Sequence, residues 1–149
     1  MAAPTSFKSI LTKWCEKIQP KRILEWGPGV STEMMEKLCP HAFIFSFEHQ
    51  KQYYDHWSNR LKSTLFLVED LNTYANGGNI IWEEKFDMIF VDGRNRVSCL
   101  RKALDLVKDD GVVILHDAER EEYRQGIELF TTVDVDDDQG TVVLKKPVG

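Results

Sequence analysis

Five carboxylates recur along the chain at nearly even intervals, each at the end of a short apolar run. They are Glu25 after "RIL", Glu48 after "FIFSF", Asp70 after "TLFLVE", Asp92 after "FDMIFV" and Asp117 after "GVVILH". The gaps of 23, 22, 22 and 25 residues each hold about one strand, one helix and the two turns between them. If the runs are parallel strands, all five acids gather at one edge of one sheet, the edge where open α/β sheets bind ligands. Carboxylates placed there can accept hydrogen bonds from hydroxyls, attract a cation or take a proton from a bound molecule. The first acid also opens a glycine turn, Glu25-Trp26-Gly27-Pro28-Gly29-Val30-Ser31.

Gly27 and Gly29 allow a tight strand-to-helix turn and a close approach of ligand to backbone. A dinucleotide fingerprint needs a third glycine at position 32, where this chain has Thr32, preceded by Ser31. Glu48 lies 19 residues beyond Gly29, at the end of the second expected strand. From there an acid can accept both hydrogen bonds of a ribose diol. Glu25 would repel a pyrophosphate but would favour a ligand carrying an ammonium and a sulfonium. The electrostatics therefore favour S-adenosylmethionine, and a nicotinamide-dependent oxidoreductase is the weaker alternative. A neutral hydroxyl acceptor also needs a general base, for which His116 and Asp117 are candidates, with Asp92 next. Side chains alternate along a strand, so His116 and Asp117 face opposite ways. Arg94 and Arg96 can orient an anionic or sugar-like acceptor, and Arg120 and Tyr123 can rim the same cleft; as helix-face residues they would do neither.

The elements that must position these groups are legible from pattern. Apolar runs at 22–24, 43–47, 64–68, 87–91 and 111–115 are short, rich in Ile, Val and Phe, and not alternating. Such runs suit strands buried on both faces of a parallel sheet. An opening helix carries Phe7, Ile10, Leu11, Trp14 and Ile18 on one stripe. A second starts at Ser31 and Thr32, which can cap it, and stops before Pro40. Further helices are expected over 51–61, over 95–108 and in "AEREEYRQGIELF" after Asp117. Residues 71–85 read as a loop with a short helix. The runs "LFTTVDV" and "TVVLKKP" flank Asp136-Asp137-Asp138-Gln139-Gly140, a turn composition that closes an antiparallel hairpin. The expected fold is a single domain over 1–149: a three-layer, Rossmann-like, doubly wound α/β sheet of seven strands, mostly parallel, with a C-terminal antiparallel hairpin.

Composition narrows the functions. With 42% hydrophobic and 29% charged residues the chain suits an ordinary globular domain, and no apolar run approaches the length of a membrane span. The segment "MAAPTSFKSILTKWCEK" lacks the pattern of a secretory signal. A net charge of −5 with no evident basic face argues against a nucleic-acid partner. Cys15, Cys39 and Cys99 form no Cys-x-x-Cys pair, so neither a disulfide framework nor a zinc ribbon is expected, and reduced thiols fit a cytoplasmic protein.

"RILEWGPGVSTEMM" resembles the first motif of class I S-adenosylmethionine-dependent methyltransferases, and "FSFEHQKQYYD" resembles their second. "FDMIFVDGRNRVSCLRKALDLVKDDGVVILHDAEREEY" resembles small bacterial members with Val-Asp-Gly after the fourth strand and His-Asp after the fifth. The resemblance covers about residues 20–146. It implies that Glu25 lies near the amino-acid portion of S-adenosylmethionine, directly or through water, with backbone groups at Gly27 and Gly29, and that Ser31 also binds the cofactor. It implies Glu48 on the ribose, His49 beside the adenine, Asp70 and Leu71 at the adenine edge and face, and Asp92 between methyl donor and acceptor. It also implies methyl transfer to a small-molecule acceptor, with oxygen favoured. A cofactor-binding module without catalysis, serving as a partner subunit, is the alternative. Catechol-type relatives that use a metal carry an Asp-Asn pair after the fifth strand; here Ala118 follows Asp117. Asp92 and Asp117 alone would hold Mg²⁺ only loosely, so no metal ligands are assigned. The lids of larger relatives are reduced to one helix, which leaves the site open or enclosed by a second subunit in a homodimer.

Overall fold

The computed structural model describes residues 7–136 and 140–148. Each of the five apolar runs forms a strand, and these strands pair in parallel: β1 (Arg22–Trp26), β2 (Phe43–Glu48), β3 (Thr64–Leu67), β4 (Phe86–Val91) and β5 (Val107–Leu115). Two more, β6 (Thr131–Asp136) and β7 (Thr141–Lys145), pair antiparallel to each other, and β7 runs antiparallel beside β5. The order across the sheet is β3-β2-β1-β4-β5-β7-β6. The chain starts at the centre, steps outward to β3, returns to β4 beside β1 and then proceeds the other way. That reversal opens a crevice beyond the carboxyl ends of β1 and β4. This is the seven-stranded, mostly parallel sheet with an antiparallel close that the sequence pattern predicts. The turn expected at Asp137, Asp138 and Gln139 lies outside the described residues, as do positions 1–6.

The strands are apolar throughout because both sheet faces are covered. On one face Ile23, Ile44, Met88, Phe90, Val112 and Ile114 pack with Phe7 and with Leu11, Trp14 and Met35 of α1 (Lys8–Ile18) and α2 (Val30–Leu38). On the other, Leu24, Phe47, Ile89, Val91, Val113 and Leu115 pack with Cys99, Leu100 and Ala103 of α4 (Arg96–Leu106) and with Tyr74. A third helix, α3 (Lys51–Ser58), contributes no fully buried residue. It stops short of the expected Leu61, which is buried all the same.

Three connections depart from expectation. Residues 71–79 form successive turns with no helix, because Gly77, Gly78 and Asn79 in a row take left-handed backbone conformations. An aromatic cluster covers the sheet there instead: the Trp82 ring lies 5.1 Å from that of Phe45 and 5.0 Å from that of Phe86. The helix expected over 95–108 ends at Leu106, since Val107 pairs with Phe86 and a register shift then accommodates Lys108–Gly111. The single helix expected after Asp117 is broken into a 3-10 turn at Glu121–Tyr123 and a short α5 (Arg124–Ile127). Asp117 itself is left-handed (φ 58°), which turns the chain before a helix can start. Among the described residues no helix is long and apolar enough to cross a membrane.

Candidate functional site

Strand alternation sends Glu25 toward α2 and Trp26 to the opposite face, where each is fully buried. The Glu25 carboxylate accepts hydrogen bonds from the hydroxyls of Ser31 and Thr32, and from Ser46 Oγ at 2.9 Å. Burial pushes its pKa up to about 7 despite those three donors, and the nearby Asp92 adds to the rise. The capping expected of Ser31 and Thr32 differs in detail. Gly29 is the N-cap of α2, and its N–H donates to Thr32 Oγ1 at 2.9 Å from inside the first turn. Ser31 has its hydroxyl on Glu25 instead of on the helix end. Gly27 has φ 91°, and a Cβ there would stand 2.8 Å from the Asp92 carbonyl oxygen, so the turn requires glycine on both counts.

At the end of β2, Glu48 is 6% exposed. Its Oε2 accepts the backbone N–H groups of His49 at 2.9 Å and Gln50 at 2.8 Å, and His49 Nδ1 lies 3.3 Å away. None of the hydrogen bonds among the described residues reaches Oε1. The His49 ring stands edge-on to Tyr74, 5.6 Å between centroids. Tyr74 forms the floor here: it is fully buried, donates to the Phe47 carbonyl at 3.2 Å and accepts Trp26 Nε1–H on its own carbonyl at 3.2 Å. A Cβ on Gly93 would lie 2.2 Å from the Tyr74 hydroxyl, so that glycine makes room for the ring. Sequence reasoning missed Tyr74; the one available signal was an aromatic residue within a turn-rich segment. Asp70 is exposed and accepts the Asn72 N–H at 2.9 Å, holding its own turn. Leu71 is 37% exposed, and its carbonyl accepts Asn95 Nδ2–H at 2.8 Å, tying this loop to the start of α4.

Beyond β4 and β5 the acids meet a guanidinium. Arg96 donates to Asp92 Oδ1 at 3.0 Å, to the His116 carbonyl at 2.7 Å and to the Gly93 carbonyl at 3.1 Å. It also lies 3.9 Å from Asp117 Oδ2, and its guanidinium sits over the Tyr123 ring at 5.2 Å. Burial pushes Asp92 up to about 6; the His116 ring and Arg96 oppose that rise and Asp117 adds to it. His116 is 4% exposed, edge-on to Phe7 at 5.3 Å, with Nδ1 3.3 Å from Thr141 Oγ1. Asp92 and Asp117 thus gather around Arg96, while the His116 ring packs beneath Phe7. Among the described residues no group of three or more His, Cys, Asp or Glu side chains stands together to hold a metal ion.

No family model and no curated protein matches the chain in sequence. Solved structures match it over nearly its whole length. A methyltransferase-like protein from Silicibacter pomeroyi shares 14% identity at a TM-score of 0.70, covering 100% of this chain and 90% of the other. The N-methyltransferase NodS from Bradyrhizobium japonicum shares 15% identity at a TM-score of 0.63, with 97% of each chain covered. NodS in complex with S-adenosyl-L-homocysteine matches as well, at 14% identity and a TM-score of 0.60, over 95% of this chain and 88% of that one. TrmN from Thermus thermophilus shares 14% identity at a TM-score of 0.69 over 93% of this chain and 48% of its own. The sheet order and these likenesses agree on the fold: it is the seven-stranded, mostly parallel α/β fold that this chain shares with solved methyltransferases.

Proposed function

We propose that the chain binds S-adenosylmethionine across the ends of β1, β2 and β4 and moves its methyl group to an oxygen of a small-molecule acceptor. It would do so as one domain in the cytoplasm, where its three buried free thiols stay reduced. One observation carries the reading: Glu48 spends one oxygen on its own turn and, among the described residues, keeps Oε1 clear of donors, next to Phe47, whose carbonyl accepts the N–H of the left-handed Gly27.

These residues fit the cofactor. A ribose diol needs a fixed carboxylate, and the two backbone N–H groups on Oε2 fix Glu48. On this reading His49, Asp70 and Leu71 would face the adenine, with Tyr74 against the His49 ring. Gly27 and Gly29 give backbone access for the amino-acid end. Glu25 acts there through Ser31, whose hydroxyl it holds. When bound, the cofactor supplies a methyl carbon on a cationic sulfur; the rest is orientation and proton management.

On this reading Asp92 is the base. Above about pH 6 it is ionised and can take the proton of an acceptor hydroxyl. Arg96 fixes the carboxylate, and Asp117 stands across the same guanidinium as a second acceptor. His116 acts on Asp92 through its electrostatic field and gives its carbonyl to Arg96.

Calorimetry with S-adenosylmethionine and S-adenosylhomocysteine tests the reading. Glu48→Ala is expected to weaken binding by roughly 1.5–3 kcal/mol, the worth of hydrogen bonds to a charged group. If the unaltered protein binds neither molecule, the proposal fails. A second reading, a cofactor-binding subunit without catalysis, draws support from the Arg96 grip on Asp92 at 3.0 Å. Methyl transfer to any hydroxyl acceptor, followed by mass spectrometry, rejects it.

A further inference from the structure

A cleft of about 620 Å³ lies between the start of α4 and the turn after β5, bounded by residues 93–98 and by Arg120, Glu122 and Tyr123. In a chain of net charge −5, three of its nine lining residues are arginines and one is an acid. Their commitments differ. Arg96 is engaged with Asp92 and the carbonyls of Gly93 and His116. Arg94 is exposed and makes no ion pair among the described residues. Among the described residues the Arg120 side chain has only a loose 3.8 Å ion pair, with Glu122, both side chains being more than half exposed. Such a contact contributes little to holding a conformation, so Arg120 is open to a competing anion. Tyr123, beneath the Arg96 guanidinium, supplies an aromatic wall.

We infer that this cleft binds an anionic group, a carboxylate or a phosphate, on Arg94 and Arg120. On the reading given under Proposed function, that group belongs to the methyl acceptor. Arg96 joins the two parts, since it lines the cleft and also contacts Asp92 and Asp117. An acceptor anchored by its anionic end on the two exposed arginines would extend past Tyr123 and present a hydroxyl to Asp92. A wholly neutral acceptor would leave both arginines unused.

The test titrates benzoate, phenyl phosphate and benzyl alcohol separately into ¹⁵N-labelled protein and follows the amides of residues 93–98. Both anions are expected to bind about tenfold tighter than the alcohol, a modest gain for exposed charges. Added salt should erase the preference. The double variant Arg94→Ala/Arg120→Ala is expected to lose that factor. Glu122→Gln is expected to tighten both anions about twofold or more, as removal of a repelling charge should. The tighter of the two anions names the acceptor's charged group. Equal affinity for benzyl alcohol and the anions overturns the inference, as does wild-type anion affinity in the double variant or unchanged affinity in Glu122→Gln. S-adenosylhomocysteine is titrated into the same samples. Its failure to bind while the anions still do removes the methyl-donor reading and leaves the anion cleft. Anions that fail while it binds remove the cleft alone.

Discussion

At the ends of β1 and β2 the acids are met by neutral donors; at the ends of β4 and β5 they are met by a guanidinium. Glu25 is closed in by three hydroxyls, and Glu48 has two backbone N–H groups on one of its oxygens. Asp92 and Asp117 share Arg96, with side chains 28% and 33% exposed. Neutral hydroxyls supply dipoles but no charge, so full burial still drives Glu25 toward its protonated form. A guanidinium offsets the desolvation of Asp92 in part, and its bonds can be exchanged when an acceptor enters. One half of the edge is therefore a prebuilt cradle, and the other is a set of charges that a ligand can rearrange.

The largest effect is expected where the cradle's backbone is tightest. Gly27→Ala places a Cβ on a residue at φ 91° and 2.8 Å from the Asp92 carbonyl oxygen. A loss of about 4 kcal/mol in urea unfolding is expected from strain and clash together. A loss below about 1 kcal/mol would mean that the two halves are not packed against each other at this point.

Next comes the acid within the cradle. The pKa of Glu25 is about 7 in the folded protein against an ordinary 4.5, so between those values the folded state binds more protons than the unfolded. The stability it contributes is complete below about pH 4.5 and is lost as pH rises through about 7. A decline of roughly 3 kcal/mol follows from the shift. Asp92 adds a decline of the same sign between 3.8 and about 6. Urea midpoints of Glu25→Gln across pH 4.5 to 8 should show a shallower slope than the unaltered protein. An identical slope would place the charge elsewhere.

Arg96→Ala probes the other half, since it strips a partner from Asp92 and a donor from two carbonyls. About 2 kcal/mol of destabilisation is expected, with about half that for Asp92→Asn, because a carboxylate left without its cation costs more than a cation that keeps its carbonyls. Equal costs for the two variants would erase the asymmetry. Asp117→Asn should be the mildest, below about 0.5 kcal/mol, because its contact with Arg96 is 3.9 Å long and partly exposed. A larger loss would make Asp117 a structural member of the cluster.

Much of this was legible in the chain. The five apolar runs carry enough Ile, Val and Phe, without alternation, to mark strands covered on both sides, and all five form parallel strands. The glycine turn and the hairpin were equally plain, since Gly27 sits where only glycine is comfortable. The single helix that periodicity predicts after Asp117 does not form, because periodicity carries no sign of the left-handed residue that starts the turn, or of Gly126 packed on Leu100. The even spacing of the acids was real as a rhythm, but it did not make them equivalent. Asp70 ended on an exposed turn of its own, while Glu25 ended beneath three hydroxyls drawn from β2 and α2.

The sequence by itself determined the strands, their parallel course and the placement of acids near one sheet edge, because periodicity and turn chemistry are local properties. Only the tertiary structure decided which acids are buried, which are paired with Arg96, and that Tyr74 fills the floor between β2 and Gly93. Those outcomes depend on groups from different elements, such as Ser46 on Glu25 and Asp117 beside Arg96, meeting in a low-dielectric interior, where a neighbour's charge or a hydroxyl sets the ionisation of a carboxylate. Spacing along a chain carries the order of the elements, and it does not carry the depth at which each side chain comes to rest.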